Sequence, residues 1–223
     1  MPEHSFASLQ ARLTQSVDST DEGRALEETA RALSLEDPAE RLVALVRAIE
    51  TERLLVPAVV ESDNCDDNGV TAVDTPQGPA VAAFTSVEAM KSWSETARPM
   101  PMSGKRVAML AVAHSGGRLM IDEGSASVRV PRPATVALAH GDAWLPAWQD
   151  GELKEELAAF QDSSVAYVKP LPSEGAVLKL EVGIVAGAKR EDVTVSLGKI
   201  AQAPRLRPAA EIVEIVPRMV ALS

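Results

Sequence analysis

The chain has 223 residues, 46% of them hydrophobic and only 3% aromatic, and carries a net charge of −10. At about 150 residues per domain this length admits one large or two small domains, and the apolar content is that of a globular chain whose core must be filled by Val, Leu, Ile and Ala. The charge is uneven: residues 1–67 hold fifteen acids and six bases, residues 68–223 seventeen and sixteen. This argues against general nucleic-acid binding and against an anionic membrane surface, both of which need a basic face.

In chain order, Phe6, Leu9, Leu13 and Val17 fall at helical steps and predict either a short amphipathic helix or a frayed terminus. Leu26, Ala30 and Leu33 form a second helical stripe. "EDPAERLVALVRAIE" is the clearest helix, with Asp37 as N-cap, Pro38 at the first position, Glu40 completing a capping box, and Leu42, Leu45, Val46 and Ile49 facing the core. Residues 53–61, "RLLVPAVVE", read as a strand that Pro57 places at an edge or bulge. A polar loop follows, then a hairpin turning at Thr75-Pro76-Gln77-Gly78. A helix starts near Ser86, "ARPMPMSG" reads as a stiff connector, and a further helix ends at Gly116. "RLMID" and "SVRV" are short strands, and Pro131 or Pro133 opens the next helix. Past Asp150 come a helix, two strands, a helix containing "REDVTVSLGKI" and a last strand, "AEIVEIVP". The expected class is α+β: a mixed β-sheet packed with helices, plus a small C-terminal strand–helix–strand domain. The expected divisions are 1–35, an acidic segment that is helical or partly flexible, 36–150, the main domain, and 151–223.

Few residues look chemical. Thr85 and Glu88 have capping-box spacing, and a helix start can also hold an anion, but Glu88 brings its own negative charge and no glycine-rich loop precedes it. Asn64, Asp66, Asn68 and Gly69 imitate a calcium loop, yet Thr75 stands where a bidentate Glu is required. "SGKR" at 103–106 has the Gly-Lys of a phosphate loop but lacks its first glycine and its Ser or Thr. His4 is terminal, and His114 and His140 lie at expected helix ends. Cys65 has acidic neighbours that oppose thiolate formation. As the sole cysteine it cannot form an internal disulfide and fits a reducing compartment. The first residues show no signal-peptide pattern and no apolar run approaches about 18 residues, so a cytoplasmic location is expected. Trp93, Trp144 and Trp148 are either packing residues or partner anchors. Residues 91–132 hold seven bases and three acids, and Arg98, Lys105, Arg106, Arg118, Arg129 and Arg132 could gather into one patch.

The phrases "RLLVPAVVE", "GPAVAAFTSVEAMKSW", "ARPMPM", "LMID" and "DAWLPAWQDGEL" occur in order over residues 53–150. Together they resemble the SseB N-terminal domain family of bacterial proteins, and the segment after Asp150 looks like the smaller C-terminal domain that often follows. The resemblance implies a link to a serine-sensitivity trait, which is a phenotype and not an activity, and brings no catalytic residues. The expected function is a non-catalytic cytoplasmic adaptor or regulatory module. Its surface would comprise Phe84, Thr85, Ser86, Trp93, Arg98, Pro99, Asp122 and Trp144, without metal or cofactor. The alternative is a binder or enzyme for a small acidic metabolite, such as an amino acid, with Arg98 taking a carboxylate beside Thr85, Ser86 and Asp122. A third reading makes the acidic front a nucleic-acid mimic or a homodimerisation arm. The partner is otherwise unknown; nucleic acid and membrane are not expected partners.

Overall fold

In the computed structural model, which describes residues 21–58 and 71–221, helix α1 (Glu27–Leu33) lies against α2 (Pro38–Thr51). The Asp37 carboxylate accepts the amides of Ala39 and Glu40, both at 2.8 Å, with Pro38 in the first turn. No return bond from Glu40 completes the box. Leu42, Leu45, Val46 and Ile49 are buried. α1 buries Thr29 and Ala32, with Leu33 packed at the core's margin, so its inward stripe is offset from the one expected. Its N-terminus has no local side-chain cap. Glu52, just past α2, supplies one from a distance, accepting the amides of Glu28 at 2.9 Å and Thr29 at 2.8 Å.

Strand β1 (Arg53–Ala58) pairs antiparallel with β4 (Arg98–Ser103). The "RPMPMS" stretch is therefore a strand and not a connector. The ladder explains how a segment with alternate prolines can be one. Leu55 exchanges backbone bonds of 2.7 and 2.8 Å with Phe84, so its ladder groups point away from β4. Pro57 shares that parity, and Pro101 and Pro99 stand opposite Leu55 and Pro57. Each proline thus sits where its missing N–H removes no β1–β4 bond. A hairpin of β2 (Ala72–Thr75) and β3 (Gly78–Ala83) turns at Pro76-Gln77. β3 runs parallel to β5 (Leu119–Ile121), which pairs antiparallel with β6 (Val128–Val130). The sheet is mixed, as expected. Between its strands lie α3 (Val87–Trp93), α4 (Gly104–Ser115) and, after β6, α5 (Arg132–His140). α4 ends on Gly116 at φ +61°. Gly104 packs so tightly on α2 that a β-carbon there would collide with the Ile49 carbonyl.

The remainder forms a second layered unit. α6 (Gly151–Ala158) is capped by Asp150. The sheet order is β7 (Val165–Leu171), β8 (Val177–Val185), β9 (Ile212–Val220), with β9 parallel to β8 across a connection carrying α7 (Arg190–Ile200) and the short α8 (Leu206–Ala209). This is the expected strand–helix–strand module, with its last strand running on to Val220. Leu153, Leu157, Leu178, Leu180, Val182 and Ile200 fill its core. Trp148 packs against both cores and meets Trp144 edge to face at 6.1 Å. Arg118 and Glu211 form an ion pair of 3.1 Å from one unit to the other. Asp162 pins α7 to the start of β7, accepting the Ser196 hydroxyl at 2.6 Å, the Ser164 hydroxyl and amide at 2.7 Å, and the Val165 amide at 2.9 Å. These bonds, the Ser196 one foremost, hold its carboxyl well below the usual carboxylate range. Among the described residues no helix is long and apolar enough to cross a membrane.

Two stability predictions result. Gly104→Ala should lower stability by at least about 2 kcal/mol in urea unfolding, because the colliding atom is backbone and cannot swing aside; a change near zero would refute the close approach. Asp162→Ala should lower stability by about 1–2 kcal/mol at pH 7, a figure reduced for the exposure of the carboxylate. A depressed folded-state pKa gives stability that is present above the ordinary value of 3.8 and lost as pH falls through the folded one. Unfolding at pH 7, 5 and 3 should show the deficit intact at pH 5 and narrowing only under the ordinary value; a deficit that closes between pH 7 and 5 would contradict it.

Candidate functional site

β3 and β5 are parallel and end side by side. The space beyond the carboxyl ends of parallel strands is where such sheets commonly take ligands. Here it holds Thr85 and Asp122, both 2% exposed. The Thr85 amide donates to Asp122 Oδ1 and its hydroxyl to Oδ2, each at 2.7 Å. The Thr85 carbonyl accepts Arg53 Nη1 at 2.8 Å. Every polar group of Thr85 is thus bonded within the chain. Asp122 sits at φ +54°, a left-handed conformation that Asp tolerates better than most residues. Its carbonyl accepts the amides of Ser125 and Ser127 at 3.0 and 2.9 Å, which tightens the β5–β6 turn. Burial pushes the Asp122 carboxyl up, against the two Thr85 bonds.

The helix cap falls one residue later than the spacing indicated. Ser86, not Thr85, is the N-cap of α3, and its hydroxyl accepts the Ala89 amide at 3.1 Å. The capping-box reading of Thr85 and Glu88 is corrected accordingly, because Asp122 has already engaged Thr85. The Val87 amide donates to the Gly23 carbonyl at 2.8 Å, so the N-terminal segment also closes over this corner. Arg53 fixes that segment: Nε and Nη2 reach the two Asp21 oxygens at 2.6 Å, and Nη2 reaches the Arg24 carbonyl at 2.7 Å. Arg53, Asp21 and Glu52 carried no signal in the sequence, since an arginine opening an apolar strand resembles any solvated charge.

The candidate residues divide into groups. Phe84 is buried with Leu55, Met90 and Ala97, and its ring lies 5.5 Å from that of the half-buried Trp93. Ser86 is half-buried beside them. Arg98 and Pro99 are exposed on β4 together with Met100, Pro101 and Ser103. Trp144 belongs elsewhere, against the first core with Trp148. The cavity of about 630 Å³ lies between α5 and α8, lined by Arg132, His140, Arg207 and Glu211 among others. Another of about 430 Å³ lies against α2 and Trp148. Neither takes Thr85, Ser86, Arg98 or Asp122 into its lining.

Three of the six basic residues are engaged within the fold. Arg118 turns to Glu211, Arg129 to Thr75 and Gln77, and Lys105 to the His140 carbonyl. His140 lies 3.9 Å from Asp142 with both exposed, and His114 is in the last turn of α4. His4, Cys65, positions 64–69 of the calcium-like loop and the stripe from Phe6 to Val17 lie outside the described residues. Thr75, at the loop's last position, is engaged with the Gly78 carbonyl at 2.6 Å. Among the described residues no group of three His, Cys, Asp or Glu could hold a metal ion.

A family model described as the SseB protein N-terminal domain matches residues 26–137. No curated protein and no solved structure matches the chain.

The Thr85–Asp122 lock makes its own prediction. Asp122→Ala should lower stability by about 1–3 kcal/mol by stranding the Thr85 amide. Asp122→Asn keeps an acceptor for that amide, offers a donor to the hydroxyl and tolerates the left-handed backbone, so it should stay within about 1 kcal/mol of the parent. With the folded-state pKa of Asp122 raised, its contribution is full below the ordinary value and declines as pH rises through the folded one. Unfolding at pH 4 and pH 7 should therefore show the Asn variant gaining on the parent toward neutrality; the opposite trend would exclude a carboxyl strained by burial.

Proposed function

The chain belongs to the SseB family, and from that premise we propose that it is a non-catalytic adaptor or regulatory binding module that seats a protein partner on β4 and the adjoining Trp93. The observation that carries this reading is the exposure of β4. Of its six residues only Met102 is partly covered, and Met100, 37% exposed, stands among the prolines. Apolar side chains left open on a rigid strand favour binding, because little conformational entropy is lost when they are covered. The outward ladder positions Pro99 and Pro101 offer carbonyls and no amides, so the partner must bring donors. Arg98 adds a place for an acidic side chain. Phe84, Met90 and the Thr85–Asp122 lock support Trp93 and Ser86 from beneath and need not touch the partner.

The reading is tested by placing a photo-crosslinking side chain at Met100 or, as control, at Lys154 on α6, and irradiating intact cells. The expected result is a discrete adduct from position 100, absent from 154 and reduced by Trp93→Ala and by Arg98→Ala. Equal labelling from both positions would overturn the reading. So would a thermal shift of the purified protein by a free amino acid that Arg98→Ala abolishes, which would instead place a metabolite at this surface.

A further inference from the structure

β9 is the outer strand of its sheet, nine residues long and rich in β-branched side chains. Its open edge can be read from one bond. The Val220 carbonyl accepts the Ala186 amide that follows β8, at 2.9 Å, so the even-numbered residues of β9 turn their ladder groups toward β8. Val213, Ile215, Pro217 and Met219 therefore turn theirs outward. Among the described residues these outward groups meet no other strand. The same four side chains lie on the helix-covered face, where Val213 and Ile215 join the second core. Pro217 and Met219 are left exposed, Met219 at 69%. Exposed edges are normally blunted by proline and charge, and β9 carries Glu214, Pro217 and Arg218.

We propose that β9 pairs antiparallel with β9 of a second copy, in the register centred on Val216. Outward residues must face outward residues, which leaves few two-fold registers. Centring on Glu214 sets that carboxylate against its own copy. Centring on Ile215 sets Glu214 against Val216 and Arg218 against Ile212. Centring on Pro217 puts two prolines, without donors, at the middle. Centring on Val216 sets Glu214 against Arg218 of the second copy, twice by symmetry. Glu214 then stands between that arginine and Lys179, its neighbour on β8. Glu181, 3.3 Å from Arg218, adds a further negative charge to the same face. On the other face Met219 comes against Val213 of the second copy and is covered. Val213 and Met219 exchange two bonds across the edge and Ile215 gives one to the Pro217 carbonyl, about six for the pair of strands. The two three-stranded sheets become one of six strands. The missing proline donor weakens pairing in general, and the charges select a single register.

The test is the self-association of the full chain by analytical ultracentrifugation at moderate salt. The parent should dimerise. Glu214→Arg and Arg218→Glu should each weaken the dimer about tenfold, since symmetry applies each like-charge contact twice. The double variant should return to near the parent's affinity. Met219→Pro, which removes an outward amide unused in the monomer, should weaken the dimer while leaving the thermal unfolding of the monomer unchanged. A parent that stays monomeric, a dimer indifferent to these changes, or a double variant no better than the singles would each overturn the proposal.

Discussion

The first layered unit is organised around the Arg53 guanidinium. Only 13% of that side chain is exposed, and it joins Asp21, the Arg24 carbonyl and the Thr85 carbonyl. Thr85 in turn holds Asp122 across the ends of two parallel strands. Four stretches distant in sequence thus meet through one planar, permanently charged group. A guanidinium suits the task because its fork presents several donors at fixed angles, which an ammonium does not. The bond from Arg53 is also the chief cause that holds the Asp21 carboxyl below its usual range, so the pair stays ionised and the N-terminal segment stays attached. The preceding residue, Glu52, works in the same direction by capping α1. One dipeptide at the α2–β1 junction therefore fixes both α1 and the segment that crosses the Thr85 corner.

That arrangement explains which parts of the molecule could be read in advance. Local signals were reliable where the cause was local: Asp37-Pro38 at a helix start, Pro76-Gln77 in a hairpin, Gly116 at a helix end. The phrase order over residues 53–150 led to the family. What stayed hidden depended on partners far along the chain. "RPMPMS" has the propensity of a loop, and becomes a strand because each proline falls where β1 asks for no donor. Thr85 and Ser86 are equally good caps by type, and the choice between them is made by Asp122, thirty-seven positions away. The candidate surface was legible only in part for the same reason. Trp93, Arg98 and Pro99 lie on adjoining elements, whereas Trp144 is separated from them by its packing against Trp148.

The polar groups that looked most chemical are also those most fully engaged within the fold. A threonine whose amide, hydroxyl and carbonyl all have partners has nothing left to offer a ligand unless the lock opens, and opening would leave a buried carboxyl without its two donors. The same holds for Ser164 and Ser196, whose hydroxyls both reach Asp162. These polar clusters set the relative positions of elements, which hydrophobic contact alone specifies loosely in a core with so few aromatic side chains.

Two of the outer strands among the described residues, β4 and β9, have edges closed to different degrees. On β4 the outward ladder positions 99 and 101 are both proline, so an approaching strand finds acceptors without donors and cannot complete a ladder. An edge of that kind resists strand addition and leaves only side chains to engage a partner, which on the proposed reading are Arg98, Met100 and Trp93. On β9 a single proline stands among three outward residues that keep their amides, with opposite charges two positions to either side of Val216. Such an edge resists most pairings and admits one. The two edges belong to different sheets, whose cores share Trp148 and are bridged by the Arg118–Glu211 pair. Self-pairing through β9 uses none of the β4 residues, so the proposed pair would carry two copies of the β4 edge on one particle. With β4 as the partner surface proposed above, that would place two binding surfaces on one particle and raise avidity without any new contact at either one.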